Sequence, residues 1–451
     1  MGEANGSSAQ NGSAANGNEV VHLDPRIAIS PNAPKEVPRL LEEVASYGKD
    51  FVQEDPKARM KLLESARALV YALETPREAM IRYCWSDAAA FASIETAIER
   101  GIFVELGKGD GPKKVVDIAA ATNCDAVMLS RIMKHMAAVG VIAEAGPDEY
   151  KPTGISNAFT IKTYSDGFPC MCVLPPFAFL SITLQSFSGL TVPRTGSVTK
   201  ATNALPEFLK SIDYKLPQDG RNCAFNVGYK TNLSFFEYLG ANPKTGTEFN
   251  NHMGAYRQGR PSWMDHGFFP VEKQLIQGAD TGDDAAFLVD VGGSLGHDLM
   301  EFHSKWSNAP GKLILQDQPH VIEEAKQKAD EYIETMVHDF FTEQPVKGAR
   351  AYYMHSILHD WPDEVGVKIL EQLAAAMRPG YSKILINENV IPSTDAYWES
   401  TALDIVMMSL FSSQERTEKQ WRKLIASAGL KIVNIWTVEK GVESLIECEL
   451  P

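Results

Sequence analysis

Residues 352–365, YYMHSILHDWPDEV, run from an apolar stretch into His355, His359 and Asp360. A buried strand gains nothing by ending in ionisable groups, so His359 is there either for chemistry or to cap the turn. An imidazole titrates near neutrality. Placed beside an acceptor hydroxyl, it removes the proton as the oxygen attacks, which is worth about 10²–10⁴-fold. His355 and His359 are four residues apart, a spacing that also invites a metal pair. The H-E-x-x-H pattern is absent and no third ligand is evident, so no metal is expected. Cys170-Met171-Cys172 is the one close cysteine pair, and no second pair completes a zinc site.

A second group of residues is suited to a cofactor. In FLVDVGGSLGHDLMEF, Gly292, Gly293 and Gly296 stand between a strand pattern and a helix pattern. Glycine allows the tight turn and lets a ligand approach the backbone. In LILQDQP, Asp317 ends the next strand pattern, where a carboxylate accepts hydrogen bonds from ribose hydroxyls. The pair points to an adenosine-bearing cofactor. Ser294 breaks the strict G-x-G-x-x-G pattern, which disfavours NAD.

These groups need a scaffold that brings strand ends together. Strands are expected at Ala286–Val291, Lys312–Gln316, Thr335–Asp339, Ala349–Leu358 and Lys383–Asn387, with helices between them and a C-terminal pair at Lys431–Val438 and Ser444–Glu449. This alternation predicts an α/β fold with a parallel, doubly wound (Rossmann-like) sheet whose ligands bind at the carboxyl ends of the strands. His359 then falls at the end of the fourth strand. Upstream, VVDIAAATNCDAVMLSRIMKHMAAVGVIAEAGPDEYKPT predicts two helices meeting at Thr122-Asn123 and two strands around Gly146-Pro147, the outline of a winged helix. The expected organisation is a disordered tail over 1–37, a helical and winged-helix domain over 38–165, a helical linker and substrate cap over 166–275, and a cofactor domain over 276–451.

Composition narrows the partners. With 58 acidic against 43 basic residues and a net charge of -15, the chain lacks a nucleic-acid footprint. The candidate recognition helix Ala126–Val139 offers only Arg131, Lys134 and His135 as long polar groups, so DNA is not an expected partner. Six sparse cysteines and the absence of a leader pattern suggest reduced thiols and a cytoplasmic setting. The uncharged stretch Gly167–Pro193 is long enough for a membrane span, but Pro175-Pro176 interrupts it and no basic flank follows. A buried interface or the cap of an apolar pocket is the expected use.

Taken in series, VDVGGSLGHD, LILQDQPHVIEEA, HDFFTEQP, ILHDWPDE, ILINENVIP and ERTEKQW make residues 226–450 resemble the plant-type (caffeic acid-like) S-adenosylmethionine-dependent O-methyltransferases, especially their fungal secondary-metabolism branch. The N-terminal half resembles that family's winged-helix dimerisation domain, which implies a homodimer. The resemblance implies a class I methyltransferase domain binding S-adenosylmethionine, with His359 as general base and Glu388 and Glu415 holding its ring. It implies that Gly292 and Gly293 line the methionine part of the cofactor, that Asp317 binds its ribose, and that Asp339 and Phe340 flank its adenine. His355 stands where plant members often carry a lysine. If the family pattern holds, Met407, Met408 and Phe411 face an apolar acceptor such as an aromatic or polyketide-type metabolite. Two other readings stay open: a methyltransferase-like cyclase, pericyclase or dehydratase that binds the cofactor without transferring methyl, and a non-catalytic, cofactor-sensing winged-helix protein.

Overall fold

The computed structural model describes residues 29–52, 55–171, 197–256 and 259–451. Most of the expected tail lies outside these residues, as do Cys172 and the 172–193 part of the uncharged stretch; its first residues form the short helix Gly167–Met171. Two compact units divide between Ala90 and Phe91.

The first unit is helical, and its sequence sets its own boundaries. Asp55 accepts from the N–H groups of Lys57 and Ala58 to start helix Pro56–Leu73. Thr75 and Glu78 form a reciprocal cap on helix Pro76–Ile81. In both, proline opens the helix, where a missing N–H costs nothing.

The second unit begins with the winged helix. Helix Val115–Thr122 ends at Asn123 with φ +53°, Asp125 caps helix Ala126–Ala138, and strands Ala143–Gly146 and Glu149–Lys151 pair as the wing. Its larger part is a seven-stranded sheet. The strands are Ala286–Val291 (β1), Lys312–Asp317 (β2), Ile333–Val337 (β3), Ala351–His355 (β4), Lys383–Glu388 (β5), Lys431–Trp436 (β6) and Ser444–Glu449 (β7). Their order is β6-β7-β5-β4-β1-β2-β3.

β1 to β5 pair in parallel, as expected, but β7 runs antiparallel to both β5 and β6. The sheet is therefore mixed rather than wholly parallel. The cause is the short connection at 437–443: a parallel crossover needs about a dozen residues or more, so the last two strands can only form a hairpin.

Alternation along each strand sends side chains to two cores. On one face Val289, Val291, Tyr352, Met354, Ile384 and Ile386 pack against helices Asp363–Ala376 and Glu418–Ser427. On the other, Leu288, Tyr353 and Leu385 pack against Leu299 and Phe302 of helix His297–Lys305. Because both faces are covered, the strands read as continuous apolar runs. Among the described residues no helix is long and apolar enough to cross a membrane.

Candidate active site

The expected strand through Leu358 stops at His355. Ser356 takes φ +52°, a left-handed conformation that breaks the extended run, and Leu358–Asp360 form a single 3₁₀ turn carrying His359. His359 thus sits on a turn beyond β4, not on the strand itself. What holds the turn is Glu388, the last residue of β5. Its Oε1 accepts from three consecutive backbone N–H groups, Ile357 at 3.1 Å, Leu358 at 2.6 Å and His359 at 3.3 Å. Three donors converging on one carboxylate oxygen make a strong anchor.

Glu415 supplies the other contact. Its Oε1 lies 2.6 Å from His359 Nδ1, and its own N–H donates to Asp404 Oδ1 at 2.8 Å. A carboxylate on Nδ1 fixes the tautomer with Nδ1 protonated, leaving Nε2 as the basic nitrogen. Asp360 Oδ1 lies 3.6 Å from Nε2, beyond hydrogen bonding. His359, Glu388 and Glu415 are all buried.

The electrostatics follow from this packing. Burial alone would lower the pKa of His359, but the fields of Glu415, Asp360 and Glu388 outweigh it and hold the imidazole well above its ordinary value. Burial, reinforced by Glu388 and Glu415 against the opposing pull of His359, pushes Asp360 up to about 7. Burial likewise raises Glu388. The surrounding carboxylates thus make the imidazole a stronger base than a free one, as removal of a hydroxyl proton requires. Ligand atoms of His359, Glu388 and Glu415 lie within 4.8 Å of one another, a spacing a metal ion could bridge. Glu388 Oε1 is bonded to three amides and Glu415 Oε1 to the imidazole, an arrangement that orients the ring for proton transfer.

Arg416, missed by sequence reasoning, clamps the same turn. Fully buried, it donates to the carbonyls of Leu358 and Trp361, each at 2.7 Å, and to Asp363 Oδ1 at 2.9 Å. Ser413 adds a hydrogen bond to the His359 carbonyl. The signal for Arg416 was its place beside Glu415 in ERTEKQW, but a single sequence does not distinguish a buried arginine from a surface one.

The residues expected to hold a cofactor lie on the same rim. Gly292 has φ +76°, and a Cβ there would come 2.7 Å from Ile357 Cδ1; a Cβ on Gly293 would come 2.3 Å from the Asp290 carboxylate. The close approach of these turns requires glycine. At the end of β2, Asp317 accepts from Ser294 N–H at 2.9 Å and Gln318 N–H at 2.7 Å, which leaves lone pairs for further donors. Ser294 adopts φ +52° and stays exposed, so the turn keeps its path without a third glycine. β3 ends at Val337, which places Asp339 in the following loop, where it accepts from Phe341 N–H at 3.0 Å. Phe340 lies against Gly292, and Phe341 meets Trp361 edge-on at 5.0 Å. A glycine cradle, an acid at a strand end and aromatic rings beside it fit an adenosine-bearing cofactor.

The three expected acceptor residues lie on helix Trp398–Phe411. Met407 and Phe411 pack into a cluster with Phe225, Phe235 and Leu410, with Phe411 stacked on Phe236 at 5.4 Å, while Met408 is half-buried. His355 is not an open equivalent of lysine: both its ring nitrogens face carboxylates, Asp298 and Glu443.

An adenosine cradle and a buried His–Glu dyad on one rim define a Rossmann-like, cofactor-dependent enzyme. The O-methyltransferase domain profile matches residues 264–431. The O-methyltransferase mpaG of Penicillium brevicompactum is 35% identical over 413 residues, covering 91% of this chain and 98% of that protein. Among solved structures, a pericyclic reaction enzyme aligns with a TM-score of 0.78 and 27% identity over 92% of this chain and 100% of that one. OxaC in complex with sinefungin and meleagrin aligns with a TM-score of 0.77 and 28% identity, covering 92% and 99%. The chain belongs to the O-methyltransferase family.

Proposed function

We propose that this enzyme methylates a hydroxyl of a hydrophobic, aromatic or polyketide-type secondary metabolite, with S-adenosylmethionine as cofactor and His359 as general base. The observation that carries this reading is the buried contact of 2.6 Å between His359 Nδ1 and Glu415 Oε1. When bound, S-adenosylmethionine supplies an electrophilic methyl group on a sulfonium. Gly292 and Gly293 would give room for its methionine part, Asp317 would accept from its ribose, and Asp339 and Phe340 would flank its adenine. His359 Nε2 takes the acceptor's proton, and Glu415 stabilises the imidazolium that results. Glu388 fixes the turn through its three amides. Met407, Met408 and Phe411 shape the apolar side of the acceptor site.

A second reading, ring formation without methyl transfer, draws support from the likeness to the pericyclic reaction enzyme. S-adenosylmethionine with a trideuterated methyl separates the two. The purified protein is incubated with a panel of hydroxylated aromatic and polyketide acceptors, and products are followed by mass spectrometry. A product carrying the label, lost in His359→Ala, supports transfer; a cofactor-dependent product without the label sinks it. We further propose a cytoplasmic homodimer assembled through residues 38–165. In the first unit Met80, Tyr83 and Trp85 stand more than half exposed, at 56%, 65% and 67%, and burying them against a second copy would take them out of water. Light scattering at twice the 49.6 kDa chain mass tests it.

A further inference from the structure

A second group of ionisable side chains is buried on the cofactor rim. His355 Nδ1 lies 2.7 Å from Asp298 Oδ2, and His355 Nε2 lies 2.9 Å from Glu443 Oε2. Asp298, in the first turn of the helix that follows the glycine turn, also accepts from Tyr353 Oη at 3.1 Å. Glu443, just before β7, also accepts from Asn387 at 3.4 Å. The side chains of Asp298, His355 and Glu443 are only 6%, 10% and 11% exposed. Ionised carboxylates only accept, so a ring satisfied on both sides donates from both nitrogens. Two carboxylates on one ring give the triad a net negative charge. Burial works against the charged form of Glu443, but His355 outweighs it and brings the carboxyl down to about 2. Arg260, whose field also reaches Glu443, is paired with Glu399.

The position of the triad gives that charge a use. β1 and β4 are neighbours, with Asp290 opposite Tyr353, and the chain leaves them toward opposite edges of the sheet. A crevice opens at such a switch point. Asp298 comes from the β1 side of it and His355 from the β4 side, so the triad bridges the crevice beside the glycine turn.

We propose that the Asp298–His355–Glu443 triad discriminates the charged cofactor from its spent form, holding S-adenosylmethionine and releasing S-adenosylhomocysteine. The inference rests on the cofactor reading above. Transfer breaks the carbon–sulfur bond and forms a carbon–oxygen bond; the electron pair stays on sulfur and the hydroxyl proton goes to His359. A cofactor held beside the glycine turn would carry a sulfonium before transfer and a neutral thioether after it, so the triad's field would act on a cation first and on a neutral group afterwards. A fixed negative charge binds the first and has little hold on the second.

The test is calorimetric titration of the full chain with each cofactor form. Glu443→Gln keeps an oxygen for His355 and removes the charge; Asp298→Asn does the same from the other side and serves if the first variant fails to fold. Each is expected to weaken S-adenosylmethionine binding about tenfold and S-adenosylhomocysteine binding less than about twofold, the asymmetry due to one charge acting across several ångströms of partly solvated protein. A merely structural role would weaken both alike, and equal weakening, or none, overturns the proposal. A wild-type chain that binds neither form overturns the cofactor reading and this inference with it.

Discussion

Replacing Glu415 with glutamine removes a charge 2.6 Å from His359 Nδ1 while keeping an oxygen that accepts the same hydrogen bond. The charge centres of such a dyad are about 4 Å apart, and at an effective dielectric of about 20 their attraction is about 4 kcal/mol. A retained neutral hydrogen bond offsets about 1 kcal/mol, leaving the imidazolium less stable by about 3 kcal/mol. Proton transfer complete in the transition state would turn that into a rate loss of about two orders of magnitude, and half-complete transfer into about one. Glu415→Gln is therefore expected to lower the pH-independent plateau of kcat between about ten- and a hundredfold. The same substitution moves the acid limb of the profile. In the wild type the carboxylates hold His359 above its ordinary value against burial. With Glu415 neutral, burial counts for more, the imidazole loses its proton at lower pH, and the acid limb shifts down. The assay is kcat against pH on an acceptor found by label transfer. A plateau within about threefold of wild type, or an acid limb that does not move, refutes the reasoning.

Arg416→Met should lower stability in urea by about 3 kcal/mol, because it strips the buried Leu358 carbonyl, the part-buried Trp361 carbonyl and Asp363 of their partner; an unchanged urea midpoint would show that the turn is held without it. Gly293→Ala should weaken S-adenosylmethionine binding by calorimetry more than about tenfold, since its Cβ would lie 2.3 Å from the Asp290 carboxylate and 2.6 Å from Leu315 Cδ1. The control is Gly240→Ala, where a Cβ meets nothing within 4 Å and cofactor binding should stay as it is.

The parallel sheet was legible because its strands are apolar runs punctuated by glycine and acid: the expected bounds of β1 and β7 are those observed, Ala286–Val291 and Ser444–Glu449. β4 was overextended for a related reason. Ile357 and Leu358 continue the apolar run, while the break depends on the backbone of Ser356, which its residue type does not announce. His359, Glu388 and Glu415 stood out as ionisable residues in recurrent motifs. Their supports did not. Glu443 lies 88 residues from His355, and only the hairpin that reverses β7 brings it to the rim. Arg416 reads as an ordinary charged residue until folding removes it from water.

The anchoring of the His359 turn through main-chain amides has a bearing on how such a site can diversify. Glu388 grips the N–H groups of residues 357, 358 and 359, which every amino acid except proline provides. The side chain of Ile357 is thereby left to pack over the glycine turn, where its Cδ1 lies 2.7 Å from the place a Cβ on Gly292 would take. Exchange at position 357 can reshape the cradle while the base stays where the amides put it. The two tasks of this short turn can therefore drift apart over generations of sequence change, one through side chains and the other through a backbone that selection at 357 leaves untouched.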